Sequence, residues 1–283
     1  MQPDHTDIIT PHITDAHAID YPCLKTGWVC ERELPKWDPI HIGRFAIDIS
    51  PTKHVVMLWV AAALCLLVML IATRAHRKAT AAGTPARGGL ANGLEAMVLY
   101  VRQEVILPNV GHHGNGYVPY LLTVFFFVLF ANLLGLVPYG STATGNISVT
   151  ATLAIMSFIT IELAGMKTLG KGYIKTIVFW PSDMPLAMKI FISPILTPIE
   201  LLGKFTKPFA LAIRLFANMT AGHVVVLALI SLIFTFGSWF IAGVPVAMAF
   251  GIMILELFVA FLQAFVFTLL TSVFIGLIRE GAH

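Results

Sequence analysis

Of 283 residues, 57% are hydrophobic and only 12% charged, with a mean hydropathy of +0.83, whereas soluble domains carry about a quarter charged residues. The bilayer is therefore the solvent this chain must satisfy. The net charge of +3 is small and the basic residues sit in short clusters between apolar stretches, which excludes a nucleic-acid footprint and suits membrane topology.

The chain opens with a polar tail, residues 1–54, ahead of a membrane domain over 55–283. The tail has no basic region followed by an apolar one, so the first membrane helix is expected to act as the insertion signal. Cys23 and Cys30 flank a short polar loop and leave a disulfide open, while Cys65 lies in an apolar stretch and reads as a packing residue. Val55 to Thr73 is uninterrupted and apolar. Its 19 residues would reach about 28 Å, close to the roughly 30 Å of hydrocarbon in a bilayer. The next segment holds Arg74, His76, Arg77, Lys78 and Arg87 before any acid, whereas the tail to Lys53 has eight acids against five bases. By the positive-inside rule the tail lies outside and this loop in the cytoplasm.

From Leu90 to Val110 apolar residues recur at helical spacing around Glu95, Arg102 and Glu104, which predicts an amphipathic helix along the membrane surface. Tyr117 to Pro138 and Ile147 to Met166 are two further spans, separated by a Gly/Ser/Thr/Asn turn. Lys167, Lys171 and Lys175 then return the chain to the cytoplasmic side. A very long apolar stretch follows, as far as Phe236. Pro194, Pro198 and Pro208 are expected to break or bend it into an interfacial approach and a long tilted helix from about Pro208. Gly237, Trp239, Gly243 and Pro245 predict a turn, and a last helix from about Val246 to Ile278 ends at Arg279 in the cytoplasm. The fold class expected is an all-α integral membrane protein: five transmembrane spans plus an amphipathic surface helix, the last two helices forming a long tilted hairpin.

Between Leu186 and Ile278 stand only six formal charges: Lys189, Glu200, Lys204, Lys207, Arg214 and Glu256. An arginine at the middle of a membrane helix costs about 2.5–3.5 kcal/mol on insertion scales, so Arg214 should face protein or water. The lysines lie nearer the cytoplasmic interface, where snorkelling explains them. At about 100° per residue, Arg214 and Asn218 share a face, whereas His223 lies on the opposite side and about 13 Å further along. Glu256 and Gln263, seven apart, share a face of the returning helix. Residues at one depth of an antiparallel hairpin have numbers summing to a constant, and the pairs Arg214/Gln263 and His223/Glu256 nearly agree. Both imply a turn near Trp239. A histidine and a glutamate at one depth are suitable proton carriers, whereas an arginine stays charged and can attract a carboxylate but not relay a proton.

Other signals are weaker. Gly165 to Gly172 nearly fits a phosphate-binding loop, but Gly172 stands where a Ser or Thr is needed and a membrane helix precedes it, so nucleotide binding is not expected. His112 and His113 suit a surface loop better than a metal site. Asn146 and Asn218 begin sequons by composition only. Glu162, in the third span, reads either as an acid satisfied by packing or as part of a water path.

The run ALAIRLFANMTAGH from Ala210 to His223, with Glu256 and LQAFVFTLL from Leu262, resembles subunit a of the F-type ATP synthase. The likeness extends to FANLLGLVP at Phe130 to Pro138, NISVT at Asn146 to Thr150, and Glu200 with Lys207, and leaves out only the tail. It implies a proton-translocating, non-catalytic stator subunit of the membrane sector in the bacterial inner membrane, without cofactor or metal. The c-ring, the b subunits and the remainder of the complex would be its partners, beside membrane lipid. The resemblance implies that Arg214 faces the carboxylate of each passing c-subunit and keeps two half-channels apart. It further implies that Asn218 and Gln263 are polar neighbours of that arginine, that Glu200 belongs to the cytoplasmic side, and that His223 and Glu256 form a pair some relatives carry exchanged. Two rival classes remain: a secondary transporter whose Arg214 binds an anion at the midplane, and a haem-binding anchor, for which His223 alone lies in the core of a span.

Overall fold

The computed structural model describes residues 15–22, 29–38, 40–42, 45–48, 50–81, 89–111, 114–137, 142–170, 172–173, 186–236 and 239–280. Five of its helices are long and apolar enough to cross a membrane: Lys53–Ala81 (α1), Val118–Gly135 (α4), Ile147–Leu169 (α5), Leu186–Phe236 (α6) and Trp239–Glu280 (α7). The amphipathic segment is helical throughout, as Gly89–Tyr100 (α2), a π-helical stretch over Val101–Ile106, and Leu107–Val110 (α3). Its apolar residues Val101, Val105, Ile106 and Val110 are buried in the common core, whereas Gln103 and Glu104 stay exposed.

The core is built around α4, the most enclosed of the spans. Leu121, Phe125, Val128 and Leu129 of α4 meet Leu211 and Leu215 of α6, and Ala264, Phe267 and Ile275 of α7. Small residues set the spacing. A side chain at Gly276 would collide with the backbone carbonyl of Asn109, and one at Gly165 would strike Ile278 at 2.6 Å. Helix α7 therefore lies directly against α3 and α5. Arg279, at its end, donates from Nη1 to the Val110 carbonyl at 2.7 Å and stacks over the Tyr117 ring. Gly165, part of the near phosphate-binding pattern, is in this setting a helix-packing glycine.

Three features add to or depart from the expectations. First, the polar tail carries two short hairpins: Ala18–Pro22 (β1) pairs antiparallel with Val29–Glu33 (β2), and Ile40–Ile42 (β3) with Phe45–Ile47 (β4). The described membrane domain is all-α, as expected. Cys30 sits opposite Tyr21 in the first hairpin, while Cys23 lies outside the described residues, as do His112 and His113. Second, Pro194, Pro198 and Pro208 do not break the long stretch, since α6 runs through all three for 51 residues, about 76 Å. Each proline removes one backbone donor, but in hydrocarbon no water competes for the remaining backbone bonds, so the helix persists. Third, α7 already begins at Trp239, with Pro245 inside it, so Trp239, Gly243 and Pro245, expected in the turn, are helical, while Gly237 lies outside the described residues.

The two ends of the bundle are distinct. At one end the tail folds against the α4–α5 turn: Asn146 Nδ2 donates to Asp15 at 3.2 Å, and the Lys53 amide donates to the Ala16 carbonyl at 3.0 Å. At the other end lie the close of α1, where His76 approaches Glu95 at 3.6 Å, and the Arg279 contact with Val110.

Candidate functional site

Helices α6 and α7 pack against each other along the hairpin, and their polar residues divide between inner and outer faces. The inner face of α7 carries Glu256, Ala260, Gln263, Ala264 and Phe267, all buried, at the three- and four-residue spacing of one helical stripe. Leu211, Ala212, Leu215 and Met219 make the buried stripe of α6. Arg214 and Asn218 share the opposite, exposed face, as their spacing predicts. Phe209 and Ile213 on α6, and Ile254 and Phe258 on α7, are likewise exposed and apolar.

His223 and Glu256 come together as the hairpin register predicts: His223 Nδ1 lies 3.6 Å from Glu256 Oε1. The carboxylate is the buried member, its side chain 4% exposed against 25% for the histidine. Gly222 makes the room. A Cβ there would stand 3.0 Å from both Cδ and Oε1 of Glu256, so even alanine needs the carboxylate to shift by a few tenths of an ångström. At Gly145, a Cβ would stand 3.7 Å from Thr142 Cβ and 3.9 Å from Thr220 Oγ1. The hydroxyls of both, like Glu256 Oε1, are buried without a hydrogen-bond partner among the described residues. Such atoms cost about 1–3 kcal/mol each unless water reaches them.

Asn132 lies in the FANLLGLVP run, where nothing in the sequence pattern marks a role for it. It is fully buried, accepts a 2.7 Å hydrogen bond from Thr144 Oγ1 through Oδ1, and donates from Nδ2 to the Ala260 carbonyl at 3.3 Å. This ties α4 and the α4–α5 turn to α7 one helical turn beyond Glu256. The signal available was a lone amide in a Phe-rich span.

At the other end, α5 and α6 approach through a second ionisable pair. Lys204 Nζ lies 3.5 Å from Glu162 Oε2, and Glu200 lines the same pocket. Arg214 stands between the two clusters, nine residues before His223 and ten after Lys204, about 13 and 15 Å along the axis. Gln263 is buried, and no hydrogen bond joins it to Arg214. Among the described residues no carboxylate pairs with Arg214. The geometry thus brings together His223 with Glu256, and Glu162 with Lys204 and Glu200, and leaves Arg214 and Asn218 facing out of the chain's own bundle. No group of three or more His, Cys, Asp or Glu side chains able to hold a metal ion occurs among the described residues.

Comparison with known proteins bears on this arrangement. The family model described as ATP synthase A chain matches residues 55–276. A subunit a of ATP synthase from Chlorobium luteolum is 45% identical over 273 residues, covering 96% of this chain and 75% of that protein. The Chloroherpeton thalassium subunit a is 46% identical, covering 97% and 77% of the two chains. The Myxococcus xanthus subunit a is 42% identical, covering all of this chain and 92% of its own.

Proposed function

The chain belongs to the ATP synthase A chain family, as a non-catalytic, proton-translocating subunit of the membrane sector, and from that premise we propose that Arg214 is the electrostatic gate between two proton half-channels. One observation carries the reading: a permanently charged side chain in a membrane helix is exposed on the isolated chain, between two clusters of titratable groups, with no acid of its own. Lipid is an expensive neighbour for that charge. A partner surface bearing a carboxylate is the arrangement that satisfies it.

That partner is the c-ring, with the b subunits and the catalytic sector completing the complex. A rotor carboxylate arriving protonated is uncharged and can travel through lipid. Opposite Arg214 it is favoured as the anion, so the proton must leave before the carboxylate passes. Because a guanidinium keeps its protons under all physiological conditions, the gate attracts the carboxylate without conducting. Asn218, on the same exposed face, is the polar neighbour that limits how far the guanidinium can swing, with Gln263 buried on the inner face of α7.

His223 and Glu256 load the ring from the outer half-channel, along the corner lined by Thr142 and Thr220. Glu200 marks the path to the opposite side. The chain is an integral membrane protein, and its bacterial relatives point to the inner membrane. The tail and the α4–α5 turn face the outside, and Arg279 faces the cytoplasm, as the distribution of basic residues requires. Each proton crossing 100 mV releases about 2.3 kcal/mol, so several are needed for each ATP made elsewhere in the complex.

The test is Arg214→Ala in the intact complex, read as ATP synthesis driven by an imposed proton gradient. Synthesis is expected to vanish while ATP hydrolysis by the catalytic sector continues. Fully coupled synthesis in that variant would contradict the assignment.

A further inference from the structure

The pocket between α5, α6 and α7 holds four charged side chains: Glu162, Glu200, Lys204 and Lys207. Its volume is about 120 Å³, room for about four waters at the roughly 30 Å³ each takes in the liquid. Lys204 and Glu162 meet at 3.5 Å with side chains only 11% and 15% exposed. Lys204 also stands 5.0 Å from the Tyr173 ring, and Lys207 the same distance from the ring of Phe274. Glu200 and Lys204, four apart on one helix, project to the same side. Glu162 thus shares the pocket with Lys204, Lys207 and Glu200 of α6, and Tyr173, beyond α5, stands by Lys204. The α7 wall is apolar, formed by Phe274, Leu277 and Ile278.

A single carboxylate could be balanced by a single lysine as a packed ion pair. Two carboxylates and two lysines around a space of that size, in a bundle otherwise almost free of charge, call for water as well as for one another. It lies on the far side of Arg214 from His223 and Glu256, where the reading above needs a second half-channel. We propose that Glu162 is a second proton-carrying carboxylate of that half-channel, standing across the pocket from Glu200, with Lys204 as the counter-ion that holds it there. This inference rests on the two-half-channel reading. A proton released by the rotor carboxylate passes through pocket water to a Glu162 oxygen, where an O–H bond forms. That bond then breaks to water on the far side as the carboxylate is restored. Lys204 keeps its charge throughout, and the cycle ends with both residues as they began.

The experiment uses membranes carrying the complete complex. Because E162Q alone would strand Lys204, the deciding variant is E162L/K204M, which removes both charges together. It is expected to assemble, to keep ATP hydrolysis, and to lose proton-driven synthesis by about tenfold, the scale of a positioned proton carrier partly bypassed by water. E162D should stay near the wild-type rate. In E162H/K204M, synthesis should recover in part and follow a pH profile centred near the imidazole pKa of about 6.5, a shift that no packing role would produce. Wild-type synthesis in E162L/K204M would overturn the proposal. So would failure of both double variants to assemble, which would make the pair structural. Arg214→Ala is carried alongside: its loss of synthesis while E162L/K204M is unaffected sinks only this inference, whereas its retention of synthesis sinks the half-channel reading.

Discussion

His223 Nδ1 and Glu256 Oε1 lie 3.6 Å apart across the α6–α7 hairpin, with the carboxylate in the bundle and the imidazole partly open. The buried carboxylate and the partly open imidazole suit the proton-loading step proposed for them. Removing either member should lower the proton flux of assembled complexes by about tenfold to a hundredfold, at or below the lower end of what positioned acid–base groups contribute. The exchanged pair, H223E/E256H, should recover most of it, since the same two groups then face each other in reverse. Passive proton conduction in vesicles stripped of the catalytic sector measures this, and an exchanged pair no better than the single losses would show that contact between them is irrelevant.

Gly222 sets where that carboxylate sits. A Cβ there would stand 3.0 Å from Glu256 Cδ, so Gly222→Val should displace the side chain at a cost of about 1–3 kcal/mol and reproduce the flux defect of losing Glu256. Gly222→Ala should fall between. Were Gly222→Val to assemble and conduct like the wild type, the seat assigned to Glu256 would be wrong.

Asn132 should act on stability before function. Asn132→Leu leaves the buried Thr144 hydroxyl without its acceptor, at about 1–3 kcal/mol for a stranded buried polar group. Adding Thr144→Val removes the stranded partner as well, so the double variant should be less destabilised than the sum of the singles. Thermal unfolding of the detergent-solubilised subunit reads the difference, and strict additivity would mean that the two side chains do not interact.

The parts of the fold and site legible in the sequence are those where chemistry breaks a simple pattern. Arg214, Glu256 and His223 stand out because hydrocarbon tolerates so few such groups, and their numbering alone gave the hairpin register that the 3.6 Å contact bears out. The spans are equally plain, since each is a long, predominantly apolar run with few charges. Less visible was anything depending on what a helix packs against. The prolines of α6 look like breaks in isolation, yet α6 continues through them because a non-aqueous surround preserves the bonds that remain. Gly276 and Gly165 carry no pattern marking them as contact points. The partnership of Glu162 with Lys204 joins residues 42 apart on different helices, which no local spacing encodes. The tail hairpins are short and of mixed polarity, and so lack the alternation that announces a strand.

The account turns on which way Arg214 faces, and a crosslink measures that directly. Ala217, exposed one turn from Arg214 on the same face of α6, would be replaced by cysteine and paired with a cysteine beside the ion-binding carboxylate of the ring subunit in the assembled complex. Oxidation is predicted to join the two subunits and to halt ATP-driven proton pumping until the bond is reduced. If the Ala217 cysteine forms no adduct with the ring at any neighbouring ring position, while remaining reactive toward a lipid-phase thiol reagent, then Arg214 faces lipid or another subunit and cannot be the gate.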